Sequence, residues 1–141
     1  MITFPSSTIK DCRLLDLPVI HNRAGNLTAL NNLTDIPFTI KRVYYLYDIP
    51  SGEVRGGHAH KELYQLIIAV SGSFDVSVDD GKETKIVHLN RPFTGLYVVP
   101  GIWRELSNFS SGATCLVLAS EIYIESDYIR EYSQFRKLKV K

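Results

Sequence analysis

Residues 63–70 form an almost uninterrupted apolar run, the pattern of a strand buried on both faces. After a break at Ser71-Gly72, Phe74, Val76 and Val78 alternate with Ser73, Asp75 and Ser77, the period of a half-buried strand. Asp79-Asp80-Gly81-Lys82 predicts a hairpin turn, because Asp-Gly suits positive φ, and residues 83–89 are expected to pair back. Turns at Arg91-Pro92 and Pro100-Gly101 separate further strands at 96–99, 103–106 and 114–120. Upstream, residues 36–48 are rich in aromatic and β-branched side chains and read as extended, ending at a Pro50-Ser51-Gly52 turn. Short strands at this spacing predict an all-β barrel or sandwich. The C-terminal end differs. Tyr128, Tyr132 and Phe135 recur at helical spacing behind Asp127, read here as an acidic N-cap, so a helix is expected to pack on the barrel. Lys137, Lys139 and Lys141 read as a solvated tail.

Composition narrows the class. With 141 residues, one domain over 1–141 is the expectation, and no linker or repeat argues for a second. A net charge of +1 gives no reason to expect nucleic acid as a partner. No run approaches the ~20 apolar residues of a membrane helix, and Met1-Ile2-Thr3-Phe4-Pro5 lacks a signal-peptide layout. A cytoplasmic protein without membrane partners is therefore expected. Cys12 and Cys115 are too few and too far apart for a disulfide framework and read as reduced thiols. Cys115, inside an apolar run, is expected in the core.

The candidate chemistry lies in Arg55-Gly56-Gly57-His58-Ala59-His60. On a strand, His58 and His60 share a face and Ala59 takes the other. The glycine lead, the HxH pair and Gly72 match the first cupin signature, but Gln65 stands where a metal-binding cupin has Glu. Gly95, Pro100 and Asn108 match the second signature, with Arg104 at its histidine position. Glutamine is a poor ligand for a transition metal, and arginine, always protonated, is none. No metal or other cofactor is expected. The pair then has three readings: structural hydrogen bonding, a degenerate metal site, or proton transfer by imidazoles whose ordinary pKa lies near neutrality. For the third, Arg104 would stabilise a developing oxyanion. His21, in a polar turn, and His88, on a hairpin arm with a solvated or cross-strand role, are less informative.

Residues 35–45, Asp-Ile-Pro-Phe-Thr-Ile-Lys-Arg-Val-Tyr-Tyr, together with the stretch from Arg55 to Lys61, resemble the sugar-nucleotide 3,4-ketoisomerases, the WxcM-like cupins of dTDP-deoxysugar pathways. The likeness resumes at Gly95-Leu96-Tyr97-Val98-Val99-Pro100 and Trp103-Arg104-Glu105. It ends with Leu118-Ala119-Ser120-Glu121-Ile122-Tyr123 and Asp127-Tyr128-Ile129-Arg130. It implies a cupin-type jelly-roll β-barrel with a C-terminal α-helix. It also implies metal-independent isomerisation of dTDP-4-keto-6-deoxy-D-glucose to a dTDP-3-keto-6-deoxyhexose, later aminated at C3 by another enzyme. A homodimer with exchanged N-terminal strands is implied as well.

Under that resemblance His58 and His60 carry protons through an enediolate that Arg104 supports. Arg42, on one strand face with Ile40, Tyr44 and Leu46, is a candidate for the diphosphate, as is Arg55. Tyr44, Gln65, Tyr97, Trp103 and Glu105 complete the expected substrate-binding set. Some family members carry His in place of Arg104, and relatives tend to show Tyr or Arg where this chain has Ala24. Because Arg orients rather than protonates, Arg104 favours the gluco product over the galacto one. The rivals are a metal-free 3,5-epimerase using a His–Asp dyad and a Tyr, a non-catalytic sugar-nucleotide-binding cupin, and a metal-dependent oxygenase.

Overall fold

A computed structural model describes residues 3–139. In chain order the strands are β1 (Arg13–Asp16), β2 (Ile20–Asn22), β3 (Gly25–Leu27), β4 (Arg42–Leu46), β5 (Arg55–His60), β6 (Gln65–Ser71) and β7 (Phe74–Asp79). They continue with β8 (Thr84–Leu89), β9 (Thr94–Val98), β10 (Trp103–Ser107), β11 (Thr114–Ala119) and β12 (Tyr128–Ile129), and the helix α1 is Tyr132–Lys139. Two five-stranded sheets, in the orders β1-β9-β6-β11-β4 and β12-β5-β10-β7-β8, face each other across the core. This is the jelly-roll cupin architecture with a C-terminal helix.

The hydrophobic pattern places the strands. β6 lies between β9 and β11. Residues 65–69 are all buried, because the inner face meets the core and the outer face is covered by the N-terminal segment. Leu17 and Leu30 border Ile68 and Leu116 on that outer side. β7 alternates buried and half-buried residues as its period-2 pattern requires, and Asp79 pairs with Thr84 across the expected turn, where Gly81 has φ +91°. Cys115 is fully buried and Cys12 nearly so, and both are free thiols. Burial pushes the Cys115 thiol up to about 12, as for a core residue rather than a nucleophile. His88 makes a cross-strand contact, its Nδ1 lying 2.7 Å from Asp75 Oδ1.

Four expectations are corrected. The strand expected over 36–48 is confined to Arg42–Leu46; Ile36 forms only an isolated bridge to Asn32, and Pro37 beside it has no N–H for a ladder. His21 lies not in a turn but on β2, part of a β2-β3 hairpin that joins neither large sheet. The helix begins at Tyr132, not behind Asp127. Asp127 closes a 3₁₀ turn (Glu125–Asp127), and Tyr128 and Ile129 pair with His60 and Ala59. Tertiary pairing at the sheet edge overrides the helical spacing, because Asp127 accepts from His60 and from Glu62 N–H rather than capping a helix. Lys139 is not a solvated tail: its ammonium donates to Phe4 O, Ser7 O and Ser7 Oγ at 2.7–3.0 Å. Lys141 lies outside the described residues.

The helix holds to the outer face of the β5-β10 sheet through Phe135, which is fully buried. Its ring meets Trp103 at 5.8 Å and Phe4 at 5.9 Å. Losing such a ring to alanine costs about 3–5 kcal/mol. Among the described residues, no helix is long and apolar enough to cross a membrane.

Candidate active site

β5 and β10 run side by side, and their register sets His58 opposite Arg104. The register then slips, because Arg55 rather than Gly56 partners Leu106. This is a β-bulge built from Gly56 and Gly57. Gly56 has φ +72°, and a Cβ there would stand 2.5 Å from Arg104 Nη1. Only glycine gives both the backbone conformation and the room for the guanidinium. The glycine lead of the motif therefore seats Arg104 beside the histidines.

His58 and His60 face the interior, 7% and 4% exposed, with ring centroids 4.9 Å apart and planes nearly perpendicular. The Tyr128 ring lies against both, 5.0 Å from His58 and 4.3 Å from His60. β6 contributes Gln65, and β4 contributes Arg42 and Tyr44 on its half-buried face while Val43 and Tyr45 are exposed. Arg104 Nε donates to Gln65 Oε1 at 3.0 Å and its Nη2 donates to the Tyr44 hydroxyl at 2.8 Å. Gln65 Nε2 lies 3.3 Å from His60 Nε2, and His60 Nδ1 lies 2.9 Å from Asp127 Oδ2. Arg42 donates to the Tyr128 hydroxyl at 2.9 Å and sits over the rings of Tyr44 and Tyr123.

Two groups are left short of partners. His58 Nε2 is a buried side-chain nitrogen without a hydrogen bond. Arg104 is 2% exposed and donates to the neutral Gln65 and Tyr44; among the described residues no carboxylate forms an ion pair with it. An uncompensated cation and an orphaned imidazole side by side are costly inside a core unless something polar completes them. Burial, then the Arg104 charge, pushes the His58 pKa down to about 2. Burial also lowers that of His60, against the opposing pull of Asp127. Both rings are neutral at pH 7.

The four positions that would ligate a metal in a cupin hold His58, His60, Gln65 and Arg104. The Gln65 oxygen is turned to the Arg104 guanidinium, so this set offers a cation two imidazoles and a repelling charge. It does not fit a metal.

The expected substrate-binding residues divide. His58, His60, Arg104, Gln65, Tyr44 and Arg42 come together. Tyr97 lies on the other face of its sheet, buried between Phe38 (6.3 Å) and Tyr64 (6.0 Å), so its place is packing. Trp103 and Glu105 are likewise on the face away from Arg104. The indole N–H donates to Glu105 at 3.0 Å, and the ring packs beneath α1 against Tyr132 and Phe135. Arg55 is exposed beyond the bulge, outside the network. The strand alternation that pairs Arg104 with His58 requires Trp103 and Glu105 to point the other way. Asp127 and Tyr128 were missed, being read as the start of a helix. The signal that separates them from it is the aromatic–β-branched pair Tyr128-Ile129 directly after Asp127.

The family model described as FdtA, WxcM-like, C-terminal matches residues 10–140. A TDP-4-oxo-6-deoxy-alpha-D-glucose-3,4-oxoisomerase of Aneurinibacillus thermoaerophilus is 43% identical over 125 residues, 89% of this chain and 90% of that protein. Among solved structures, a TDP-quinovose 3,4-ketoisomerase from Campylobacter jejuni is 48% identical with a TM-score of 0.87, covering 92% of this chain and 99% of its own. A 3,4-ketoisomerase from Helicobacter canadensis is 45% identical with a TM-score of 0.91, covering 93% and 98%.

Proposed function

The chain belongs to the WxcM-like family of sugar-nucleotide 3,4-ketoisomerases, and from that membership we propose that it acts as a single domain to convert dTDP-4-keto-6-deoxy-D-glucose into a dTDP-3-keto-6-deoxyhexose. The observation that carries the chemistry is the orphaned His58 Nε2 beside the buried, carboxylate-free Arg104. His58 Nε2, neutral and unpartnered, takes the proton from C3, and the enediolate that forms is held by Arg104. Return of a proton to C4, with the hydroxyl proton of O3 passing to O4, leaves the carbonyl at C3 and a hydroxyl at C4. Electrons and protons balance within the sugar, so the step needs no redox partner.

Burial and Arg104 hold the His58 pKa far below the optimum for a base in the free protein. The diphosphate of the substrate brings negative charge into this cationic site, offsets Arg104 and Arg42, and raises the imidazole toward its working range. Arg42 binds that diphosphate in place of its Tyr128 contact. Arg104, as a non-protonating group, directs the gluco product, and likeness to a TDP-quinovose enzyme supports this, quinovose being 6-deoxyglucose. That product suits later amination to a 3-amino-3,6-dideoxyhexose. The β2-β3 hairpin joins neither large sheet and exposes Ile20 and Leu27, which supports a homodimer with exchanged N-terminal strands.

One observation favours the rival epimerase: the His60–Asp127 contact is the dyad that chemistry uses. Turnover of dTDP-4-keto-6-deoxyglucose by metal-stripped protein in deuterated water, followed by NMR, separates the readings. Carbonyl migration with deuterium at C4 is expected. Deuterium at C5 with no migration would establish the epimerase, and binding without exchange at any carbon a non-catalytic cupin.

A further inference from the structure

We infer that Asp127 is a positioning residue that holds His60 as the Nδ1–H tautomer, through a hydrogen-bond chain whose direction is set at both ends. Arg104 has donors only, so the Gln65 amide must turn its oxygen to Arg104 Nε at 3.0 Å. The Gln65 NH₂ then faces His60 Nε2 at 3.3 Å and makes that nitrogen an acceptor. The ring proton is left on Nδ1, 2.9 Å from Asp127 Oδ2, and an ionised carboxylate has acceptors only. No member of the chain can reverse without opposing two donors at one of its contacts.

Asp127 is placed independently of the ring it orients. Its Oδ1 accepts from Glu62 N–H at 2.8 Å, its carbonyl accepts from Lys61 N–H at 2.9 Å, and its own N–H donates to Ile124 O at 3.0 Å. The turn holds the carboxylate, and the carboxylate holds the imidazole. The chain also accounts for Gln rather than Glu at 65. A glutamate would accept from Arg104 but offer His60 no donor, and would draw a second proton onto the ring. With His60 held in this way, His58 alone is left with a free Nε2.

The tautomer is read directly. Protein labelled with ¹⁵N-histidine, with His60 assigned through His60→Asn, is examined by long-range ¹H–¹⁵N correlation NMR at pH 7. Wild-type His60 is expected to carry its proton on Nδ1 alone. In Asp127→Asn, the side-chain oxygen stays with Glu62 N–H and the amide turns to His60, so both ring nitrogens face a donor, the Nδ1–H form loses its sole hold, the Nε2–H form appears beside it, and kcat falls by at least about 10-fold with KM little changed. In Gln65→Glu, both ring nitrogens are expected to be protonated. A wild-type spectrum with the proton on Nε2 overturns the inference and needs no variant to fold. A pure Nδ1–H ring in Asp127→Asn, as in wild type, also overturns it, as does a mixed tautomer with wild-type kcat. The kinetic role rests on the ketoisomerase reading, whereas the spectra need no substrate. A wild-type protein with the expected tautomer and no turnover would therefore sink the activity and leave the chain of hydrogen bonds standing.

Discussion

Lowering the pH from 7 to 5 is expected to remove about 2 kcal/mol of folding stability through His58 alone, because its pKa is held near 2 in the fold against an ordinary 6.5. The sign follows from where the proton goes. Between those two values the unfolded chain binds a proton at His58 and the folded chain does not, so acid favours unfolding. The contribution is fully present above pH 6.5 and is lost progressively as pH falls below it, at about 1.4 kcal/mol per unit. Over the interval from 7 to 5 the loss depends on the unfolded value, since the folded one lies well beneath the window. Burial is the main cause and the neighbouring Arg104 charge the second. Urea unfolding of wild type and His58→Asn at pH 7, 6 and 5 isolates the effect, because the carboxylates and His60 titrate in both proteins and cancel in the difference. Wild type should lose about 2 kcal/mol more than the variant between pH 7 and 5. Equal losses, or an NMR titration of folded His58 with a midpoint near its ordinary value, would refute the reasoning.

Gly56→Ala should cost about 1–3 kcal/mol and most of the turnover, since the new Cβ meets Arg104 Nη1 at 2.5 Å in a backbone conformation at φ +72°; thermal unfolding and kcat measured on one preparation check it. Trp103→Phe keeps the ring under α1 and loses the hydrogen bond to Glu105, so about 1 kcal/mol should go while KM stays as it was; a large KM change would return Trp103 to the substrate site. Arg42→Ala should weaken dTDP binding measured by calorimetry by about 10-fold or more, and unchanged affinity would take the diphosphate away from Arg42. Lys139→Met should release the 4–7 segment, seen as faster amide exchange there, because three hydrogen bonds to Phe4 and Ser7 are lost.

The sheets were legible wherever a local pattern matched a local environment. Residues 63–70 read as a buried strand, and β6 covers Gln65–Ser71 with 65–69 buried; the alternation at 74–78 proved to lie in β7. The Asp80-Gly81 turn, the buried Cys115 and the cross-strand His88 follow from the same short-range logic. The shared inward face of His58 and His60 was also legible, because the period of a strand is 2 whatever it pairs with. Tyr97, Trp103 and Glu105 were misplaced although that same period, counted from Gln65's partner Val98 and from Arg104, puts them outside.

The sequence by itself determined an all-β barrel or sandwich, narrowed to a jelly roll by family resemblance, carrying two histidines on one strand, with a glutamine and an arginine in place of two metal ligands. Which residues complete those histidines was decided by tertiary structure alone. Tyr128, Tyr132 and Phe135 satisfy a helical stripe locally, yet β5 offers an open edge, and Tyr128 and Ile129 pair with it instead. That pairing swings Asp127 onto His60 from 67 residues away. The bulge at Gly56-Gly57 brings the Arg104 guanidinium against the same pair. Spacing along a chain specifies a face, but the partner across a sheet edge is chosen by which unsatisfied donors and acceptors the fold brings within reach.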